Sequence, residues 1–293
     1  VLDVGCNDAS LLGFFKAKGA QTYGVEPTGA YKDASEGHSK TWGGAYFGEE
    51  TAKLILDAAG KMDFITFTNV FAHIENFDDL IEGVKLLAHT GTKVIVENHY
   101  LGAVLDRNQF DTFYHEHPRT YSLRSFNFIA KRLGMNIENI EFPKRYGGNI
   151  RVIMGTGVPS QASEDRIKAE EDYFDQFAAM RKFVDSWKAE KLSEINSLVA
   201  EHGPILAKAF PGRAAILVKL LGLSEKHIAC VAEKPGSMKI GHYLPGTRIP
   251  IVSDDDCDFV NEPVILNLAW HIGTEIEGYL RSKGFAGRLV NIL

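Results

Sequence analysis

Four consecutive residues, Tyr114-His115-Glu116-His117, bring a phenol, a carboxylate and two imidazoles close together. That is the composition of a proton-transfer site, because histidine titrates near neutrality and a neighbouring carboxylate sets its tautomer and basicity. The competing reading is a polar surface loop with solvated or capping histidines. Position favours chemistry, since the stretch follows a segment that ends like a parallel strand. If the stretch is extended, alternate residues face opposite sides. His115 then points away from its two neighbours and reads as structural.

The elements that would hold such a site begin at the first residue. Val1-Leu2-Asp3-Val4 is a short apolar run suited to a buried parallel strand, followed by the turn Gly5-Cys6-Asn7-Asp8-Ala9-Ser10. Leu11, Leu12, Phe14 and Phe15 give a helical pattern that closes at Gly19. A second strand, Thr22-Tyr23-Gly24-Val25, ends in Glu26-Pro27. Strand, glycine loop, helix, strand and acid is the layout of a nucleotide site. The loop backbone approaches the ligand, and the acid accepts hydrogen bonds from ribose hydroxyls. A dinucleotide fingerprint needs G-x-G-x-x-G, whereas the three positions here hold Gly5, Asn7 and Ser10. Asn7-Asp8 would crowd a pyrophosphate and set negative charge beside it. The same pair suits a cationic ammonium and sulfonium. S-adenosylmethionine is therefore the expected cofactor, with Gly5, Cys6, Asn7, Asp8 and Glu26 as contacts.

Residues 63–67 and 93–97 read as two more buried strands, and between them Leu80, Ile81, Val84 and Leu87 mark a helix over 77–88. Ligands in open α/β sheets lie outside the carboxyl ends of the strands. The Gly5 loop, Glu26, Asn69 to His73, Glu97 to Tyr100 and the His-rich stretch all follow strand ends, so one crevice can collect them. Asn69 joins the expected cofactor contacts. Tyr100 is a candidate substrate contact for which a loop role is equally open, and His73 also fits a satisfied core histidine. Asn69 lacks the Pro-Pro-aromatic continuation of enzymes that methylate base amines, and a net charge of −6 argues against nucleic acid as the partner. No run approaches the roughly 18 apolar residues of a membrane span. The three cysteines are scattered, form neither a disulfide framework nor a zinc knuckle, and fit a reducing, cytoplasmic setting with no metal. The chain opens on a core strand without Met, so a preceding segment is expected.

Several stretches together carry a resemblance. They are Val4-Gly5-Cys6-Asn7-Asp8, Gly24-Val25-Glu26-Pro27, Asn69-Val70-Phe71-Ala72-His73, residues 108–117, Tyr146-Gly147-Gly148-Asn149-Ile150-Arg151 and residues 241–247. Nearly end to end, the chain resembles the S-adenosylmethionine-dependent sugar C-methyltransferases that act at C-3 of nucleotide-linked 4-keto-deoxysugars. The resemblance implies Tyr114, Glu116, His117 and His73 as active-site groups and a dTDP-linked 4-keto sugar as substrate. It also implies Asn149, Arg151, Lys234, His242, Tyr243 and Arg248 as sugar or phosphate contacts, a solvated surface being the alternative for the charged loop near Gly246. Three departures stand out. Members usually begin with a small cysteine-rich zinc domain, which is not among these residues and either precedes them or is dispensed with. Phe210-Pro211-Gly212-Arg213-Ala214-Ala215 replaces their glycine-rich turn, and the acidic pattern around Ala232-Glu233-Lys234-Pro235-Gly236 is altered.

The implied chemistry needs a base, because carbon becomes nucleophilic only after a proton next to a carbonyl is removed. A neutral His117 is the candidate base, Glu116 holds its tautomer or meets the substrate, and Tyr114 or His73 donates to the developing oxyanion. The alternative is an O- or N-methyltransferase on a small metabolite, which needs a base but no ketone.

At 293 residues two domains are expected. The fold class is α/β: a class I methyltransferase doubly wound sheet over 1–157, a helical connector over 158–203, and a smaller Rossmann-like α/β domain over 204–293. In the connector, Ile167, Phe174, Phe177, Val184, Trp187, Ile195 and Leu198 recur at helical spacing, as one or two bent helices. Residues 228–232, 263–267 and 288–292 are the expected strands of the last domain.

Overall fold

A computed structural model describes residues 1–34, 38, 40–143 and 147–293. They form two compact units, one made of 1–107 with 115–174 and the other of 108–114 with 175–293.

The first unit is built on strands β1 (Leu2–Val4), β2 (Tyr23–Glu26), β3 (Lys40–Gly43), β4 (Phe64–Thr68), β5 (Lys93–His99), β6 (Asn136–Glu141) and β7 (Asn149–Gly155). Its helices are α1 (Ser10–Lys16), α2 (Tyr31–Ala34), α3 (Glu49–Ala59), α4 (Phe77–Leu87), α5 (Leu101–Asp106), α6 (Leu123–Arg132) and α7 (Gln161–Ala169). The sheet order is β3-β2-β1-β4-β5-β7-β6, parallel except for β7, which runs antiparallel to β5 and β6. This is the class I methyltransferase arrangement. Its central strands are apolar because both faces are covered: Leu2, Val25, Ile65, Phe67 and Val96 are all fully buried.

Helix α4 shows how sequence sets an element. Leu80, Ile81, Val84 and Leu87 form its buried stripe, Asn76 Oδ1 accepts from the Asp79 N–H, and Asp78 and Asp79 complement the positive helix end. Asp79 has a second task. Its Oδ1 accepts from the Glu49 N–H at 2.8 Å and so caps α3, whose own N-cap, Gly48, has no side chain.

The second unit contains α8 (Tyr173–His202), β8 (Ile205–Lys208), α9 (Ala214–Leu221), β9 (Ile228–Glu233), β10 (Ile251–Ser253), β11 (Val264–Asn267), α10 (Gly273–Ser282) and β12 (Arg288–Asn291). The first two residues of α8 group with the first unit. The sheet order is β10-β9-β8-β11-β12 with every pairing parallel, so the winding reverses between β8 and β11. Lys208 sits inside β8 with its ammonium 2.6 and 2.7 Å from the two Asp254 oxygens, and the Tyr279 hydroxyl donates to the same carboxylate at 2.6 Å.

The residues expected as one connector divide between the units. Helix α7 is tied to the first, while α8 carries Trp187, whose Nε1–H donates to the Ile292 carbonyl of the second at 2.9 Å. Among the described residues no helix is long and apolar enough to cross a membrane.

Candidate active site

Close neighbours shape the loop after β1. The N–H groups of Gly5 and Cys6 both donate to the Val25 carbonyl, at 2.8 and 3.2 Å, which fastens the loop to β2. Gly5 takes φ +73°, and a Cβ there would run into the Val70 side chain. Gly24 is needed for close approach as well, since its Cβ would stand 2.6 Å from Cys6 Sγ. At the end of β2, the 5 % exposed Glu26 accepts from the N–H groups of Asn7 (2.9 Å) and Thr28 (2.8 Å), one on each oxygen. Each oxygen retains acceptor capacity, so the carboxylate fits a vicinal ribose diol. Asp8 is exposed, and accepting the Ser10 N–H at 3.0 Å holds its pKa below the usual carboxylate range. Burial pushes the Cys6 thiol up to about 12, with the charges of Asp3 and Glu26 adding to the effect. Cys6 therefore packs rather than reacts.

Asp3 is an acid inside an otherwise apolar strand, a signal that local pattern alone does not connect to the site. It is 3 % exposed and accepts from Thr66 Oγ1 at 2.6 Å. Burial raises its pKa to about 6, against the Thr66 hydrogen bond and with help from the Glu26 charge. A carboxyl raised in the folded state makes its charge a cost of folding. That cost is absent below about pH 4, grows as pH rises, and is complete above about pH 6. Asp3→Asn is therefore expected to stabilise the unliganded protein by roughly 2–3 kcal/mol at pH 8 and to change little at pH 4. Thermal unfolding at the two pH values measures both.

A polar chain crosses the carboxyl ends of β4 and β5. Asn69 holds φ +56°, and its N–H donates to the Glu97 carbonyl at 2.8 Å. Asn149 Nδ2 donates to Asn69 Oδ1 at 3.0 Å and to Glu97 Oε1 at 3.3 Å. Arg151 donates to Glu97 Oε2 at 3.0 and 2.7 Å and to Glu141 at 2.6 Å. The register sets this up, pairing Glu97 with Arg151 and His99 with Asn149. Arg151 thus neutralises carboxylates. Asn149 Oδ1 is buried and has no donor among the described residues, a condition that costs about 1–3 kcal/mol. Tyr146, quoted with this motif, lies outside the described residues.

Tyr100 is 1 % exposed, and its hydroxyl sits 2.9 Å from Glu170, 2.9 Å from the Tyr173 hydroxyl and 2.7 Å from Arg166 Nε. Glu170 also accepts the N–H groups of Leu123 and Arg124, capping α6. Tyr100 therefore fastens α7 to the sheet, and this buried position serves the fold rather than a sugar.

His73 ends a short 3-10 turn, Phe71–His73, directly after the Asn69-Val70 step, and its ring lies 4.9 Å from that of His117 at 72°. The two imidazoles meet edge to face. His73 is exposed and His117 half-buried, so the core-histidine alternative does not describe His73. Glu116 stands 3.9 Å from His115, both largely solvent-facing.

Tyr114 groups with the second unit, as do Gln109, Asp111 and Thr112 just before it. These do not all face a catalytic crevice. Asp111 is fully buried and accepts two hydrogen bonds from Arg213, at 2.8 and 2.6 Å, and a third from Trp270 Nε1 at 2.8 Å. Arg213 also reaches Gln109 at 3.3 Å and lies over the Trp270 ring. The residue read as a departure from the family's turn is therefore the partner of the motif's own aspartate.

Of the remaining substrate candidates, Lys234 is exposed just past β9 with its ammonium 5.6 Å from the centre of the Tyr279 ring. His242, Tyr243 and Arg248 are exposed on a turn closed by an antiparallel bridge between Tyr243 and Pro250.

Known proteins match both halves. A methyltransferase domain model matches residues 1–140, and a model described as the C-methyltransferase C-terminal domain matches residues 144–290, half of the chain. The C-methyltransferase NovU of Streptomyces niveus is 26 % identical over 287 residues, covering 94 % of this chain and 67 % of that protein. An S-adenosylmethionine-dependent methyltransferase from Anabaena variabilis aligns with 53 % of this chain and 75 % of its own, at 12 % identity and a TM-score of 0.42. The magnesium protoporphyrin IX methyltransferase of Synechocystis aligns with 54 % of this chain and 69 % of its own, at 16 % identity and a TM-score of 0.37. With the matching C-terminal domain spanning half its length, the chain belongs to the C-methyltransferase family.

Proposed function

We propose that the protein is an S-adenosylmethionine-dependent C-methyltransferase that deprotonates the carbon next to the ketone of a nucleotide-linked 4-keto-deoxysugar, dTDP being the expected nucleotide. The observation that carries the reading is the His73–His117 pair, 4.9 Å between ring centres, with His73 three residues beyond Val70, whose side chain packs on Gly5. An imidazole pair and the cofactor loop thus share one end of one sheet. S-adenosylmethionine, when bound, supplies an electrophilic methyl group on sulfonium. Glu26 would hold its ribose, and Gly5, Cys6 and Asn7 give the loop backbone that approaches it.

The chain's own residues do the rest. His117 takes the proton α to the ketone, and the electron pair left behind delocalises onto the ketone oxygen. His73, in contact with His117, donates to that oxygen. Glu116 is proposed as the carboxylate that tunes the neighbouring imidazoles, and Tyr114 as a further donor. Base catalysis of this kind contributes about 10²–10⁴-fold.

The test supplies the protein with methyl-labelled S-adenosylmethionine and a panel of nucleotide-linked 4-keto-6-deoxysugars, each beside its 4-hydroxy counterpart, and locates the label by NMR. A new carbon–methyl bond formed only on the ketones is expected. Label on oxygen or nitrogen, or equal methylation of the 4-hydroxy sugars, would replace this reading with O- or N-methyl transfer.

A further inference from the structure

The polar chain at the ends of β4 and β5 has a direction. Glu97, held by Arg151, accepts hydrogen bonds and cannot donate them when ionised. Asn149 must therefore turn its amide nitrogen toward Glu97, and that nitrogen also reaches Asn69 Oδ1. The orientation persists although it leaves Asn149 Oδ1 buried without a donor among the described residues. The reversed amide would set that oxygen against the Glu97 carboxylate. Asn149 thereby fixes which way the Asn69 amide is turned, with Oδ1 toward Asn149 Nδ2 and the NH₂ on the other side as the donor Asn69 can offer. Asn69 is half-exposed and sits at the carboxyl end of β4, one residue before Val70.

We infer that Arg151, Glu97 and Asn149 act as positioning residues that hold the Asn69 amide with its donor outward, toward an acceptor oxygen of a ligand. The inference rests on the reading above, in which Asn69 lines the ligand crevice. Two oxygens share the required chemistry: the ketone oxygen of the sugar, on which charge grows during deprotonation, and the amino-acid carboxylate of the methyl donor. Asn69 itself would touch the ligand. Asn149 would act only through Asn69.

A double-mutant cycle tests this, because residues acting through one another are non-additive. Asn149→Leu is close in size and removes the amide, and Asn69→Ala removes the donor. Each single variant is expected to lose about 10- to 100-fold in one readout. The Asn69→Ala/Asn149→Leu pair is expected to lose no more than Asn69→Ala alone. The readouts are S-adenosylhomocysteine affinity by calorimetry and kcat/KM on the ketosugar. Loss in the first assigns the donor carboxylate, and loss in the second with affinity unchanged assigns the ketone oxygen. Losses that multiply in the double variant, or an Asn149→Leu protein with both readouts unaltered, would overturn the inference. Far-UV circular dichroism of each variant separates these results from misfolding. The calorimetric arm needs no acceptor, so it stands even if the ketosugar reading fails.

Discussion

His117→Asn is expected to lower kcat for methylation of a 4-keto sugar nucleotide by about 10²–10⁴-fold, the usual contribution of a positioned general base. Asparagine fills much of the same space and keeps a polar face toward His73, but it cannot accept and release a proton. The loss should therefore fall on turnover and spare S-adenosylhomocysteine affinity, since the Glu26 loop is untouched. Exchange of the sugar's α-hydrogen with deuterated solvent should fall in parallel, because it reports proton removal without methyl transfer. His73→Asn is expected to cost less, one donor to an oxyanion being worth about 10²–10³-fold at most. If α-exchange and methylation both continue at the original rate in His117→Asn, the base lies elsewhere.

The second large effect is on stability. Arg213→Ala should destabilise the second unit by about 3–5 kcal/mol, the penalty for stranding one member of a buried ion pair. Asp111 is fully buried and would keep only the Trp270 N–H of its three side-chain donors. Replacing both partners together, Asp111→Leu with Arg213→Met, is expected to recover much of the loss, because the uncompensated charge is gone. Urea unfolding followed by tryptophan fluorescence resolves the effect. Trp187 and Trp270 report the second unit and Trp42 the first, so a shift in only part of the signal is the predicted outcome. A loss below about 0.5 kcal/mol, typical of a solvated surface pair, would contradict the burial argument.

These two residues also show what can be read from a sequence. The first crossover, β1 through α1 to β2, was legible because strand, glycine turn and acid are all local signals. So were α4, with its apolar stripe and acidic first turn, and β4, whose bounds lie within one residue of the expected 63–67. Helix α3 and strand β8 carry weak local signals because their determinants are distant. The cap of α3 comes from Asp79, thirty residues on, and the lysine that interrupts the apolar run of β8 is neutralised by Asp254 across the fold. Within the motif Asn108 to His117, residue types announced chemistry equally at Asp111 and at His117. Only the position of Arg213 separates the buried ion pair from the imidazole pair, and no local pattern carries it. Asn149 was identified by resemblance, but its link to Asn69 and Glu97 depends on strand register.

The Gly5 loop has one more consequence. Its reversal is dictated by protein contacts alone: Val25 accepts two of its N–H groups, Val70 closes one side of Gly5, and Cys6 fills the space left by Gly24. The conformational entropy of this segment is therefore surrendered during folding, not when a ligand arrives. An adenosyl group docking there, as proposed, would meet a preformed loop, and more of its interaction energy would appear as affinity than a loop ordered on binding would allow.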